Sequence, residues 1–276
     1  MLNPALGDTE FFNFCMDAKI LVKANSFTNS KISEGDIIVK MRKTLSDRVE
    51  HLVTANRILA REEVVDSYGH VSLRHPEIPE RFLLARSCSP ELVETEDILE
   101  FTLDCECIDD KGHQLYLESP IHGAIYKARS DVKAVVHHHS YAVIPFSVSK
   151  TPLKALAHTS GRIGHCVPVW DIRHNFGDTN LLVVNMEQGL DLAETLGDNR
   201  VVLMRGHGAT VVGTSLEDAV ITAIYLQVNA RLQMDALRLG DVEYLSAGEI
   251  DARLAGNETL AGFSRAWDYF SRRAGR

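Results

Sequence analysis

The chain has 276 residues, 45% of them hydrophobic, which is enough for one large domain with its own core. A net charge of −9 with no basic stripe argues against nucleic acid as a partner. No apolar run has transmembrane length, the start Met1-Leu2-Asn3-Pro4 lacks a basic n-region, and the five cysteines are scattered. These features predict a cytoplasmic protein with no membrane partner and no disulfide framework.

Residues 1–40 show no sustained periodicity and read as an N-terminal arm, which leaves 41–276 as the folded domain. Met41, Leu45, Val49, Leu52, Val53, Ile58 and Leu59 recur at helical spacing and predict an amphipathic helix over 41–63. Residues 69–74 and 81–86 read as strands joined by a proline-containing turn. A helical turn over 95–99 leads into a strand over 101–108, which places Cys105 and Cys107 in a strand rather than in a metal site. Asp109-Asp110-Lys111-Gly112 marks a turn. Ser119 as N-cap with Pro120 at the first helical position predicts a helix over 119–129. A strand over 134–139 follows, then a short helix, then a helix over 186–196 stopped by Gly197. Residues 201–213 read as a strand with a glycine-rich bend. Thr214-Ser215-Leu216-Glu217 has a capping-box pattern that opens a long helix to Leu239, ended by Gly240. A final helix over 257–273 would set Phe263, Trp267 and Phe270 on one face. Strands and helices interleave without internal repeats, so the fold class is a mixed α/β layered domain.

The chemistry concentrates in two histidine clusters. Ala134-Val135-Val136 runs into His137-His138-His139, and side chains on a strand alternate faces, so His137 and His139 point one way and His138 the other. His207 follows the apolar run Val201–Met204 and is flanked by Gly206 and Gly208, which permit a tight turn close to a ligand. Three imidazoles that converge make a divalent-metal site with room for a substrate, and zinc, manganese, iron and cobalt all accept such ligands. Glu118 lies just before a helix start, where the helix dipole favours an anion. A carboxylate beside such a metal can deliver or remove a proton.

Four segments in order, Gly69-His70-Val71-Ser72-Leu73-Arg74, Glu118-Ser119-Pro120-Ile121-His122, Val136-His137-His138-His139 and Arg205-Gly206-His207-Gly208, make the chain resemble the class II aldolase/adducin family over about residues 45–240. The resemblance implies a three-layer α/β/α domain around a largely antiparallel sheet, so that 41–276 would be a class II aldolase/adducin-like catalytic domain. It implies a homotetramer with sites at subunit interfaces and one divalent metal ion per subunit on His137, His139 and His207. It also implies that Glu118 acts as acid/base and that His70 stands where family aldolases carry a substrate-touching asparagine.

The segment before Glu118 is Leu115-Tyr116-Leu117, without the serine pair that sugar-phosphate members use to hold phosphate. Arg86, with Ser87 beside it, suits a planar carboxylate better than a phosphate nest. The chain thus looks most similar to the branch that decarboxylates hydroxylated aromatic or pyridine dicarboxylates. On that expectation it is a metal-dependent, non-oxidative carbon–carbon lyase of a catabolic pathway. Its substrate would be a small hydroxy-aromatic carboxylate, bound with the help of His70, Arg86 and Ser87 and protonated on a ring carbon by Glu118. The alternative is an aldolase or epimerase acting on a hydroxy-carbonyl or sugar-derived substrate. A binding module without chemistry is disfavoured because all three histidines and Glu118 are present. His138 is expected to pack or hydrogen-bond behind the site, and His122 and His165 are expected to be structural or site histidines.

Overall fold

The computed structural model describes residues 34–255 and 260–275. Most of the expected arm (1–33) and positions 256–259 lie outside the described residues. For 34–43 and 260–263 only the backbone is described, so the expected side-chain placements of Met41 and Phe263 fall outside as well. The chain divides into two units, Met1–Arg48 and Val49–Arg276. In the first, the described residues 34–48 are helical. They begin helix α1, Glu34–Arg61, which therefore starts inside the stretch expected to be an arm. Ile37, Ile38 and Met41 continue the apolar spacing toward the N-terminus, which accounts for the longer helix.

The second unit is built on a seven-stranded sheet, ordered β3-β2-β1-β4-β7-β6-β5. The strands are β1 His70–Arg74, β2 Arg81–Ala85, β3 Ile98–Thr102, β4 Ala134–His138, β5 Val169–Trp170, β6 Val201–Met204 and β7 Gly208–Gly213. Every neighbouring pair is antiparallel except β5 with β6. The helices after α1 are α2 Ser119–Ala128, α3 Ile144–Val148, α4 Arg173–Phe176, α5 Met186–Leu196, α6 Leu216–Leu239, α7 Ala247–Ala255 and α8 Leu260–Arg273.

The registers His70↔His137 and Ser72↔Val135 on β1 and β4, with Val135↔Val212 on β4 and β7, sort side chains to the two faces. One face carries Phe82, Leu84, Val135, Val202, Met204 and Val212, covered by Ile121 and Ile125 of α2 and Leu192 and Leu196 of α5. On the other face α6 packs against β7 and β4. The result is three layers, α/β/α, around a mostly antiparallel sheet. Because both faces are covered, the strands read as nearly continuous apolar runs instead of alternating ones.

Several local expectations shift. β3 starts at Ile98 and ends at Thr102, where a strand over 101–108 was expected. Cys105 adopts φ 65°, its N–H donates to Thr102 O (2.9 Å), and the chain reverses there, leaving one bridge between Phe101 and Cys107. Cys105 therefore sits in a turn, and burial pushes its thiol up to about 11, which keeps it unreactive. The stretch 201–213 is a hairpin, β6 and β7, that reverses at Arg205-Gly206-His207. The N-cap of α2 is Glu118 rather than Ser119, and that of α6 is Ser215, which accepts from Asp218 N–H, one residue later than the expected capping box. The expected single final helix is preceded by a separate one, α7. Among the described residues no helix is long and apolar enough to cross a membrane.

Candidate metal centre

Glu118, His137, His139 and His207 converge, each with one ligand atom within 4.8 Å of the others. They come from three places: the end of β4 with the residue just after it, the β6–β7 hairpin and the N-cap of α2. His137 Nε2 lies 3.0 Å from His139 Nε2, which lies 3.0 Å from His207 Nε2. Glu118 Oε2 is 3.6 Å from His137 Nε2 and 3.5 Å from His207 Nε2.

The hairpin geometry makes this meeting possible. Gly206 takes φ 67° at the reversal. A Cβ on Gly208 would stand 2.1 Å from His138 O, so only glycine lets β7 approach β4 closely enough to bring His207 beside His139. Backbone groups then hold the donors. Leu181 O can only accept, so His207 Nδ1–H donates to it (2.9 Å), which leaves the Nε2 lone pair facing the other imidazoles. Val183 N–H donates to Glu118 Oε1 (3.0 Å) and leaves Oε2 toward the histidines.

The electrostatics follow from burial and from these neighbours. Burial would raise the Glu118 carboxyl, but the hydrogen bonds and charges of His137 and His207 outweigh it and hold the group well below the usual carboxylate range. Burial, then the charge of neighbouring imidazoles, pushes His139 down to about 3; burial also lowers His137, against the pull of Glu118. Imidazole nitrogens gathered in 3.0 Å steps are a donor set that suits a divalent cation. Two nitrogens each about 2.0–2.1 Å from one metal ion would lie about 3.0–3.4 Å apart, which fits the observed spacing. Three imidazoles, with a carboxylate beside them, could therefore hold one divalent cation, and this donor set does not select among zinc, manganese, iron and cobalt.

The remaining expected residues are placed as follows. His70 sits on β1 opposite His137, ring centroids 5.1 Å apart, and its Nδ1 is 2.6 Å from His122 Nε2. His138 points to the opposite face as expected. Its Nδ1 accepts from Ser140 N–H (3.2 Å), and Ser140 Oγ donates to Gln227 Oε1 (2.6 Å) of α6. Arg86 and Ser87 lie just past β2. Arg86 Nε donates to Asp97 Oδ1 (2.6 Å), and Ser87 N–H donates to Gln114 O (2.8 Å). The link from this segment to the histidines runs through Tyr116, whose hydroxyl donates to Cys88 O and whose ring lies 4.5 Å from His70. His165 is exposed and pairs with Asp251, outside the cluster. Sequence reasoning missed the Leu181 carbonyl and the Val183 N–H, which are main-chain groups with no side-chain signature.

The family model described as the class II aldolase and adducin N-terminal domain matches residues 50–234. The chain is 34% identical over 204 residues to decarboxylase tropJ of Talaromyces stipitatus, covering 69% of this chain and 77% of that one. It is 29% identical over 244 residues to a 3,4-dihydroxyphthalate decarboxylase of Arthrobacter keyseri, covering 79% and 94%. Its fold matches the solved structure of an L-fuculose 1-phosphate aldolase from Glaciozyma antarctica with TM-score 0.69 at 24% identity, over 85% of this chain and 92% of that one. With the histidine cluster at the same segments that carried the resemblance, the chain belongs to the class II aldolase and adducin N-terminal domain family.

Proposed function

We propose that the protein is a divalent-metal-dependent, non-oxidative decarboxylase of a hydroxylated aromatic or pyridine dicarboxylate. The observation that carries this reading is the cluster itself: three imidazole nitrogens in 3.0 Å steps with Glu118 Oε2 at 3.5–3.6 Å. Similarity to decarboxylases, at 34% and 29% identity, supports decarboxylation over aldol cleavage. The aldolase match stands at 24% identity and speaks for the fold alone.

A divalent ion on His137, His139 and His207 would supply Lewis acidity toward a substrate oxygen. Glu118 does the proton work. Its carboxylate is fixed through Oε1 by Val183 N–H, so a single oxygen, Oε2, meets the substrate. Oε2 takes the proton of the ring hydroxyl and returns it to the ring carbon that bears the carboxylate. The carbon–carboxylate bond then breaks, its electron pair restores the aromatic ring, and carbon dioxide leaves. A positioned acid/base of this kind contributes about 10²–10⁴-fold. Arg86 and Ser87 are proposed as donors to the second carboxylate, with Arg86 oriented by Asp97. The assembly is proposed to be a homotetramer.

The test is carbon dioxide release by zinc- or manganese-loaded protein over a panel of hydroxylated phthalates and pyridine dicarboxylates, beginning with 3,4-dihydroxyphthalate. Release from at least one of these is expected. Retro-aldol products from hydroxy-carbonyl substrates, with no carbon dioxide from any acid, would replace the reading with aldol chemistry.

A further inference from the structure

Behind His70 runs a buried polar chain that the reaction above does not use. His70 Nδ1 is 2.6 Å from His122 Nε2, His122 Nδ1 is 2.6 Å from Ser72 Oγ, and Ser72 Oγ is 2.8 Å from Tyr126 OH. His122 and Ser72 have no exposed surface, and Tyr126 has 1%. His70 and Ser72 alternate on β1, and His122 and Tyr126 stand one turn apart on α2, so the chain is written into two elements that face each other.

We propose that Tyr126, Ser72 and His122 form a one-way hydrogen-bond chain that locks His70 as an N–H donor, through Nε2, to an anionic oxygen of the substrate. The proposal rests on the reading of the histidine cluster as the reaction centre, because that is what places a substrate beside His70.

The direction follows from counting protons. Tyr126 keeps its phenolic proton, since burial pushes it well above its ordinary value. Among the described residues Ser72 Oγ is the one acceptor its hydroxyl reaches. Tyr126 therefore donates to Ser72, because the reverse would bury an unmatched O–H. Ser72 has one proton and must give it to His122 Nδ1. A ring nitrogen that accepts has no proton of its own, so the His122 proton sits on Nε2 and is donated to His70 Nδ1. His70, accepting at Nδ1, then carries its own proton on Nε2. Among the described residues that nitrogen has no protein partner, and it is not a sealed buried atom. The His70 ring lies 5.1 Å, centroid to centroid, from that of His137, which puts it beside the cluster. Ser72, His122 and Tyr126 are positioning residues in this scheme; His70 is the group that meets substrate.

Neutron diffraction from deuterium-exchanged crystals of the zinc-loaded protein reads the tautomers directly and needs neither turnover nor a variant. Deuterium is expected on Nε2 of both His70 and His122 and absent from Nδ1 of both. Deuterium on His70 Nδ1 would overturn the proposal, whatever the substrate proves to be. A kinetic cycle with 3,4-dihydroxyphthalate probes the consequence. Ser72→Ala should lower kcat/KM about tenfold or more in the wild-type background. It should cost less than about twofold in His70→Gln, whose side chain carries its own N–H and needs no relay. Equal losses in both backgrounds would show that Ser72 merely packs. If no acid is decarboxylated, the function reading fails, and the neutron maps still decide the lock.

Discussion

At the scale of single residues, Glu118 and the imidazoles divide two tasks. On the proposed reading His137, His139 and His207 hold the cation, while Glu118 carries the proton through the one oxygen that Val183 N–H leaves open. Glu118→Gln keeps the acceptor for Val183 N–H but removes the base. It should retain full zinc content by elemental analysis while the initial rate falls by about 10²–10⁴-fold. Wild-type turnover in that variant would remove Glu118 from the proton path. His122 carries a separate consequence for stability. Burial, with a contribution from His137, pushes it down to about 3, below the ordinary value of 6.5. A histidine depressed in the folded state binds fewer protons than in the unfolded chain, so its stabilisation is present above the unfolded value and is lost as pH falls toward the folded one. In metal-free protein the denaturation midpoint should therefore drop as pH is lowered from about 6.5 toward 3, by up to about 1.4 kcal/mol per pH unit for this residue. Urea titrations of His122→Gln should show a shallower decline; an unchanged slope would mean that His122 is not a titrating group.

At the scale of elements, the position of Glu118 depends on how α2 meets α5. Gly189 of α5 has no room for a side chain: a Cβ would stand 2.5 Å from Pro120 O and 2.9 Å from Ala124 Cβ. Pro120 is two residues from Glu118, so the tightest point of the crossing sits directly behind the carboxylate. Gly189→Ala should push the helices apart and destabilise the fold by about 1–3 kcal/mol, which calorimetry would read as a loss of a few degrees in Tm. Activity should fall further than that loss alone explains, since the carboxylate moves with the helix. The same elements show what the sequence made legible. Strands β1, β2 and β4 are legible because apolar residues run up to turn residues, and the His137/His139 pair because alternation on a strand is local; the stretch 201–213 reads as strand, but its reversal into a hairpin does not. β3 was misplaced because its end is set by a left-handed Cys105, a conformation that nothing local in the sequence demands. The two-residue β5 has no periodicity of its own and exists through pairing with β6.

At the scale of the whole molecule, the candidate cation site on residues 137, 139 and 207, with residue 118 beside it, ties together segments far apart in sequence. A ligand that binds only the folded chain stabilises it by mass action. Chelator treatment should lower Tm, and zinc should restore it; at a free zinc concentration about 100-fold above Kd the difference is about 2.7 kcal/mol. His139→Ala should show neither effect, and a zinc-dependent rise in Tm in that variant would place the cation elsewhere. Long-range convergence of the histidines was legible through family resemblance, whereas the groups that aim them were not. Leu181 holds His207 by its carbonyl and Val183 holds Glu118 by its N–H, two positions apart in one segment. Leu181 adopts φ 69°, a strained conformation for leucine that turns this short stretch toward both partners. Because the grip is exerted by peptide groups, ordinary replacements of the side chains at 181–183 leave both contacts in place. An insertion, a deletion or a proline at 183 would disturb His207 and Glu118 at one stroke. For anyone re-engineering this scaffold, the composition of that strip is negotiable, and its length and backbone path are not.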